Sequence, residues 1–154
     1  MLQRLAVNTL LAVLRLYAFG LWTGAMVGFA FFFAPAAFAH VGPTPAFAAT
    51  IAASIVAITY FGYVCGGVAV LSAVLEMRSN RSAVWLAAIA LIMCALGAYE
   101  TNVVVPLMQH TQLQTPAYDA LHRRSSSVYS IVLLLGLLGM AFSGVGRRPA
   151  GQPQ

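Results

Sequence analysis

The chain has 154 residues, of which 61% are hydrophobic and 7% charged, with a net charge of +5 carried wholly by arginine on the basic side. Ordinary soluble domains are about 25% charged, and one of this size has too little interior to hide so much apolar surface. The composition therefore excludes a soluble globular domain and predicts a single all-α domain, an integral membrane four-helix bundle with up-down topology.

Residues 1–8 form a short head with Arg4, and the first span is predicted over about 10–34. Leu16 to Ala34 carries no charge, roughly the 20 residues that a bilayer crossing needs. Ala37-Phe38-Ala39 resembles a signal-peptide cleavage site, but the apolar run is too long for one and Arg15 interrupts its approach, so an uncleaved span is expected. Gly20, Gly24 and Gly28 recur at every fourth position and make a smooth helix-packing stripe. Pro35 is expected to close this span, and His40 lies in the uncharged connection that follows.

Thr44-Pro45 reads as a helix start, with threonine as cap and proline at the first helical position. The second span runs over about 45–76, with Gly62 and Gly66 as a further close-approach pair, and Arg78 to Arg81 is a tight polar loop. The third span covers about 82–106, interrupted by Glu100 and Asn102 and ended by Pro106; His110 lies in the polar connection beyond it. The fourth span covers about 116–143, after the cap Thr115. The membrane domain is bounded at 1–146, and the Pro/Gly/Gln-rich residues 147–154 are expected to be a disordered tail.

Arg4, Arg15, Arg78, Arg81, Arg147 and Arg148 fall on one side of four spans, against Arg123 and Arg124 on the other. That asymmetry predicts cytoplasmic termini. The arginines are a topology signal, so no nucleic-acid partner is expected; the surroundings are the lipid bilayer, with a second copy or another membrane protein as further partners. Cys65 and Cys94 lie in apolar runs and read as packed small side chains.

Pro35 and Pro106 are 71 residues apart, as are Thr44-Pro45-Ala46-Phe47 and Thr115-Pro116-Ala117-Tyr118. This predicts two copies of one helical hairpin, both with the same orientation and related by an axis along the membrane normal. Charge breaks the repeat: Asp119, His122, Arg123 and Arg124 correspond to Ala48, Ile51, Ala52 and Ala53, and Glu100 corresponds to Phe29.

The second hairpin therefore carries the candidate binding site: Glu100, Asp119, His122, Arg123, Arg124, Ser125 and Tyr129. Glu100 lies about 9 Å before Pro106 and His122 about 10 Å after Thr115 along their helices, so antiparallel packing sets them at similar depth. A lone carboxylate there costs about 2.5–3.5 kcal/mol, which predicts a pair between Glu100 and Arg123 or Arg124. Asp119 and Arg123 have the spacing of a helical ion pair. His122, Ser125, Ser126 and Tyr129 form one polar stripe. It can glue helices together or line an outward-facing pocket between spans three and four, and both possibilities stay open.

His40, His110 and His122 are weak metal candidates, since their spacing matches no compact ligand motif. No cofactor is expected; haem or copper is the alternative. No catalytic residue set, phosphate loop or dinucleotide fingerprint is present, which leans against an enzyme.

F-A-P-A-A-F at 33–38, V-V-V-P at 103–106 and L-H-R-R-S at 121–125 resemble the transmembrane protein 205-like family, a four-span membrane domain of unknown function. That family's last motif continues to an asparagine where this chain has Tyr129. The resemblance implies an integral membrane protein, in a bacterial chain one of the inner membrane, without settled biochemistry. The leading functional expectation is small-solute, ion or metal handling at the polar site, with the arginines attracting an anion or the His–Glu pair passing a proton. The alternatives are a haem- or metal-binding redox subunit and a structural or assembly partner of other membrane proteins.

Overall fold

A computed structural model describes residues 2–77 and 80–145 of the chain. Four long apolar helices account for nearly all of it, with membrane-span stretches Ala6–Val41, Pro45–Met77, Ala83–Gln109 and Pro116–Ser143. The protein is an all-α integral membrane four-helix bundle. Each span packs against its two neighbours in a ring, one against two, two against three, three against four and four against one, and the backbones of the diagonal pairs do not come close among the described residues. The sequence tail 147–154 and the side chains of Arg4, Arg78, Arg147 and Arg148 lie outside the described residues.

The prolines do not end the spans. The first helix runs through Pro35 to Val41 and the third through Pro106 to Gln109. A proline inside a helix removes one N–H and pushes its ring against the carbonyl of residue i−4. Here that conflict is absorbed by a widened π turn just before each proline, Phe29–Phe33 in the first span and Glu100–Val104 in the third. The N–H of Ala34 bonds to the carbonyl of Phe29, and that of Val105 to the carbonyl of Glu100, one residue further back than in an α-helix. Local π adjustments of this kind are how membrane helices tolerate proline.

The two π turns are themselves 71 residues apart, the interval that separates the Thr-Pro helix starts. The starts match in detail. Thr44 Oγ1 accepts the N–H of Phe47 and Thr115 Oγ1 that of Tyr118, each at 3.2 Å. The carbonyls of Thr44 and Thr115 accept the N–H of Ala48 and of Asp119, each at 3.0 Å. The two hairpins thus share both their caps and their proline devices.

The middle of the bundle is sealed. Phe19, Trp22, Met26 and Met93 are almost wholly buried there. Glycines let them in: a Cβ on Gly62 would overlap the Trp22 indole, one on Gly139 the Phe19 ring, and one on Gly66 the Cys94 sulfur. The expected stripe on the first span behaves differently. Gly24 and Gly28 face open space, and only Gly20 has a neighbour within van der Waals reach, the Met140 methyl at 3.7 Å. The bundle is closed by glycines of spans two, three and four, among them Gly97 against Thr59, whereas Gly24 and Gly28 of span one mark its outer face.

One end of the bundle holds an ion pair between spans one and two. Arg15, counted above as a flanking arginine, is 2% exposed and its Nη2 lies 2.5 Å from Glu76 Oε2. Asn80 Nδ2 donates to the other carboxylate oxygen at 3.1 Å, and Asn80 Oδ1 accepts from Ser82, so the loop before span three is tied to the pair. The signal was available: one opposite charge inside each apolar run of the first hairpin, near its turnless end.

Candidate functional site

The other end of the bundle opens into a cleft of about 1020 Å³. Pockets that hold small molecules run to about 300–1,000 Å³, so the space is at the upper end of that range. Its shape follows from the first span. Beyond the π turn, the Phe29–Val41 backbone meets span two only beside their connecting loop and does not approach span four among the described residues. The equivalent part of span three, Glu100–Gln109, stays against spans two and four. The repeat is therefore broken at this end: span one leans out, and Phe31 and Phe32 are 68% and 73% exposed.

The walls differ in chemistry. Span two contributes Ala48, Ala49, Ile51, Ala52 and Ile55. Span four faces them with Tyr118, His122, Ser125, Ser126, Tyr129 and Ser130, and the end of span three adds Gln109, Thr111 and Gln112. Helical periodicity puts the whole stripe His122, Ser125, Ser126, Tyr129 on one face, and that face borders the cleft. His122 stacks on Tyr118 with nearly parallel rings and 6.5 Å between centroids. Tyr129 donates to the carbonyl of Met26 at 2.8 Å and lies 6.0 Å from the Phe29 ring, joining spans one and four at the cleft's lower edge.

Glu100 pairs with neither Arg123 nor Arg124, nor with any other arginine among the described residues. It is 4% exposed, and its Oε1 accepts a hydrogen bond from Ser125 Oγ. Its Oε2 is buried and finds no partner among the described residues. Glu100 also borders a second cavity of about 20 Å³ below the cleft, together with Trp22, Thr59 and Tyr129. Space of that size holds about one water. Ser125 thus stands between the cleft and the carboxyl.

Arg123 and Arg124 are exposed and do not line the cleft. Arg124 lies over the Tyr99 ring at 5.3 Å from its centroid, a cation–π contact that holds span four to span three. Asp119 is exposed and forms no ion pair with Arg123 among the described residues. Four or seven residues of helix bring a side chain back to one face, but the stripe and the arginines lie on different faces, and only the stripe turns inward. The site also differs from the expected pocket between spans three and four, because spans one and two supply the facing wall. Sequence alternation gave no sign of that wall, since alanine and isoleucine look the same whether they meet lipid or a cleft.

The histidines remain apart in role. His40 bonds to the carbonyl of Ala36 in its own helix at 2.8 Å, and His110 follows the end of the third helix. Among the described residues no three His, Cys, Asp or Glu side chains converge on a metal position.

These features define a class: a small four-span membrane protein with a cleft at one end, a sealed middle and a buried ion pair at the other. The chain belongs to the family of a domain of unknown function, DUF4149, whose model matches residues 17–117. The match begins within the first span, at residue 17, takes in spans two and three and both π turns, and stops at the second residue of the fourth helix. No curated protein and no solved structure matches the chain.

Proposed function

We propose that this protein is a membrane-embedded binding protein that takes a small molecule into the one-ended cleft. The observation that carries this reading is the pairing of a ligand-sized space with a polar wall and a buried carboxyl whose Oε2 has no partner among the described residues. Buried polar groups are ordinarily satisfied, and an exception bordering a cavity points to something that completes it. The sealed centre around Phe19, Trp22 and Met93 favours binding from one side over an open channel. The absence of arginine from the lining favours a ligand without net negative charge, in contrast to the anion first considered.

The cleft is assigned to the outer side of a cytoplasmic membrane. Arg15 is committed to Glu76 inside the bundle and is removed from the count, which leaves five arginines against two by the positive-inside rule. The narrower likeness to transmembrane protein 205-like proteins, carried by three short motifs, is compatible with the same reading.

Ala52 lines the cleft from the span-two side, so Ala52→Trp fills space without touching the polar wall. Native mass spectrometry of the purified wild type should show a bound small molecule, and Ala52→Trp should lose it. Equal occupancy in both proteins, or none in either, would contradict the proposal.

A second reading follows from Gly24 and Gly28, which face open space on the first span. That smooth face suits the close approach of another membrane helix.

A further inference from the structure

The cleft opens sideways as well as endways, and this bears on what it binds. Between spans one and four the walls part above the Phe29–Tyr129 contact, because the Phe29–Val41 backbone keeps to span two and does not approach span four among the described residues. The rim of that slot is apolar: Phe29 and Ala30 line the cleft there, and the half-exposed Phe33 stacks on Phe29 with 5.8 Å between ring centroids. Between spans two and three the corresponding seam is closed. A membrane helix whose outer third stands away from its neighbours leaves a gap that lipid chains can reach directly.

Resting on the binding role proposed above, we infer that the ligand is a single-chain amphiphile drawn from the bilayer through the slot between spans one and four. Its head group lies in the cleft and donates hydrogen bonds; its chain trails across the phenylalanine rim. The polar wall supports this division. Ser125, Ser126 and Ser130 present hydroxyls, and behind Ser125 lies the Glu100 carboxyl, whose Oε1 accepts from Ser125 and whose Oε2 has no partner among the described residues. A hydroxyl or amine head can satisfy these acceptors, and rotation of Ser125 opens Glu100 to it. A phosphate head meets no arginine there, because Arg123 and Arg124 point elsewhere. Charge complementarity thus separates amine and polyol heads from acidic ones.

The test uses the full chain in phosphatidylcholine nanodiscs with hexadecylamine carrying a mid-chain diazirine. Illumination should place adducts on Phe29, Phe33 and the first turns of span four, at least five-fold above hexadecyl phosphate with the same diazirine. Ala52→Trp should reduce them to the level of the rest of the lipid-facing surface, and Glu100→Gln should weaken labelling by the amine more than that by the matching alcohol. Butylamine should not compete. Displacement of the probe by butylamine as readily as by unlabelled hexadecylamine would place the ligand in water; the amphiphile would be overturned and the binding role would stand. Adducts spread evenly over all four spans, or equal labelling by the phosphate, would overturn the inference as well. If these results accompany unchanged co-purified mass in Ala52→Trp, the binding role falls with it.

Discussion

Glu76→Gln should lower the stability of the purified protein by about 3–5 kcal/mol, measured as unfolding by denaturing detergent or by heat in a mild one. The substitution keeps the shape of the side chain and removes its charge. It leaves the Arg15 guanidinium buried with no ionised partner among the described residues, and Nε and Nη1 of that group already lack an acceptor among them. Breaking one side of a buried pair is costly because the other charge stays behind; replacing both sides with apolar residues is often neutral. Arg15→Met with Glu76→Leu should therefore recover most of the loss. A double variant as unstable as the single one would show that the pair does more than neutralise itself, and an undisturbed Glu76→Gln would show that Arg15 has no need of the carboxylate.

Gly62→Ala should destabilise the bundle by about 1–3 kcal/mol, the usual cost of overpacking. The added methyl falls inside the Trp22 ring, which is 2% exposed and wedged between spans, so it has little room to give. Gly24→Ala meets nothing within 4 Å and should leave stability unchanged within about 0.5 kcal/mol. Both values come from the same unfolding titration. If Gly24→Ala were the more harmful in a monomeric sample, the assignment of inner and outer faces would be reversed. Loss of an oligomer on Gly24→Leu, with the monomer's stability intact, would instead give that face to a partner helix.

The sequence shows the four spans readily because lipid demands long apolar runs and satisfied backbones, and both constraints are written in composition. The repeat was also legible. Thr44-Pro45 and Thr115-Pro116 advertise their caps, and Pro35 and Pro106 keep the same interval. What the prolines do was not legible: a breaker in a soluble helix becomes, in a membrane, a reason for a π turn. The polar stripe on span four follows from spacing alone, but its partners do not. Glu100 could reach a serine or an arginine at the same depth, and helix rotation, which composition leaves open, decided for Ser125. Arg15 and Glu76 were hidden by being read as flanks; the first helix starts at Leu2, so Arg15 lies more than three turns in and is buried. The cleft itself was invisible, because it comes from span one leaning out, and nothing local in F-A-F-F-F distinguishes a helix that leans from one that packs.

The most direct test uses two cysteines on span two, Ala52→Cys in the cleft wall and Ala69→Cys in the buried core, with Cys65 and Cys94 replaced by alanine. In sealed vesicles of one orientation, a small charged thiosulfonate reagent is added to one side at a time. Ala52→Cys should react only from the side bearing Thr44 and Thr115, and Ala69→Cys from neither. Reaction of Ala69→Cys, or of Ala52→Cys from both sides, would mean a path through the bundle and would contradict a cleft closed at its floor.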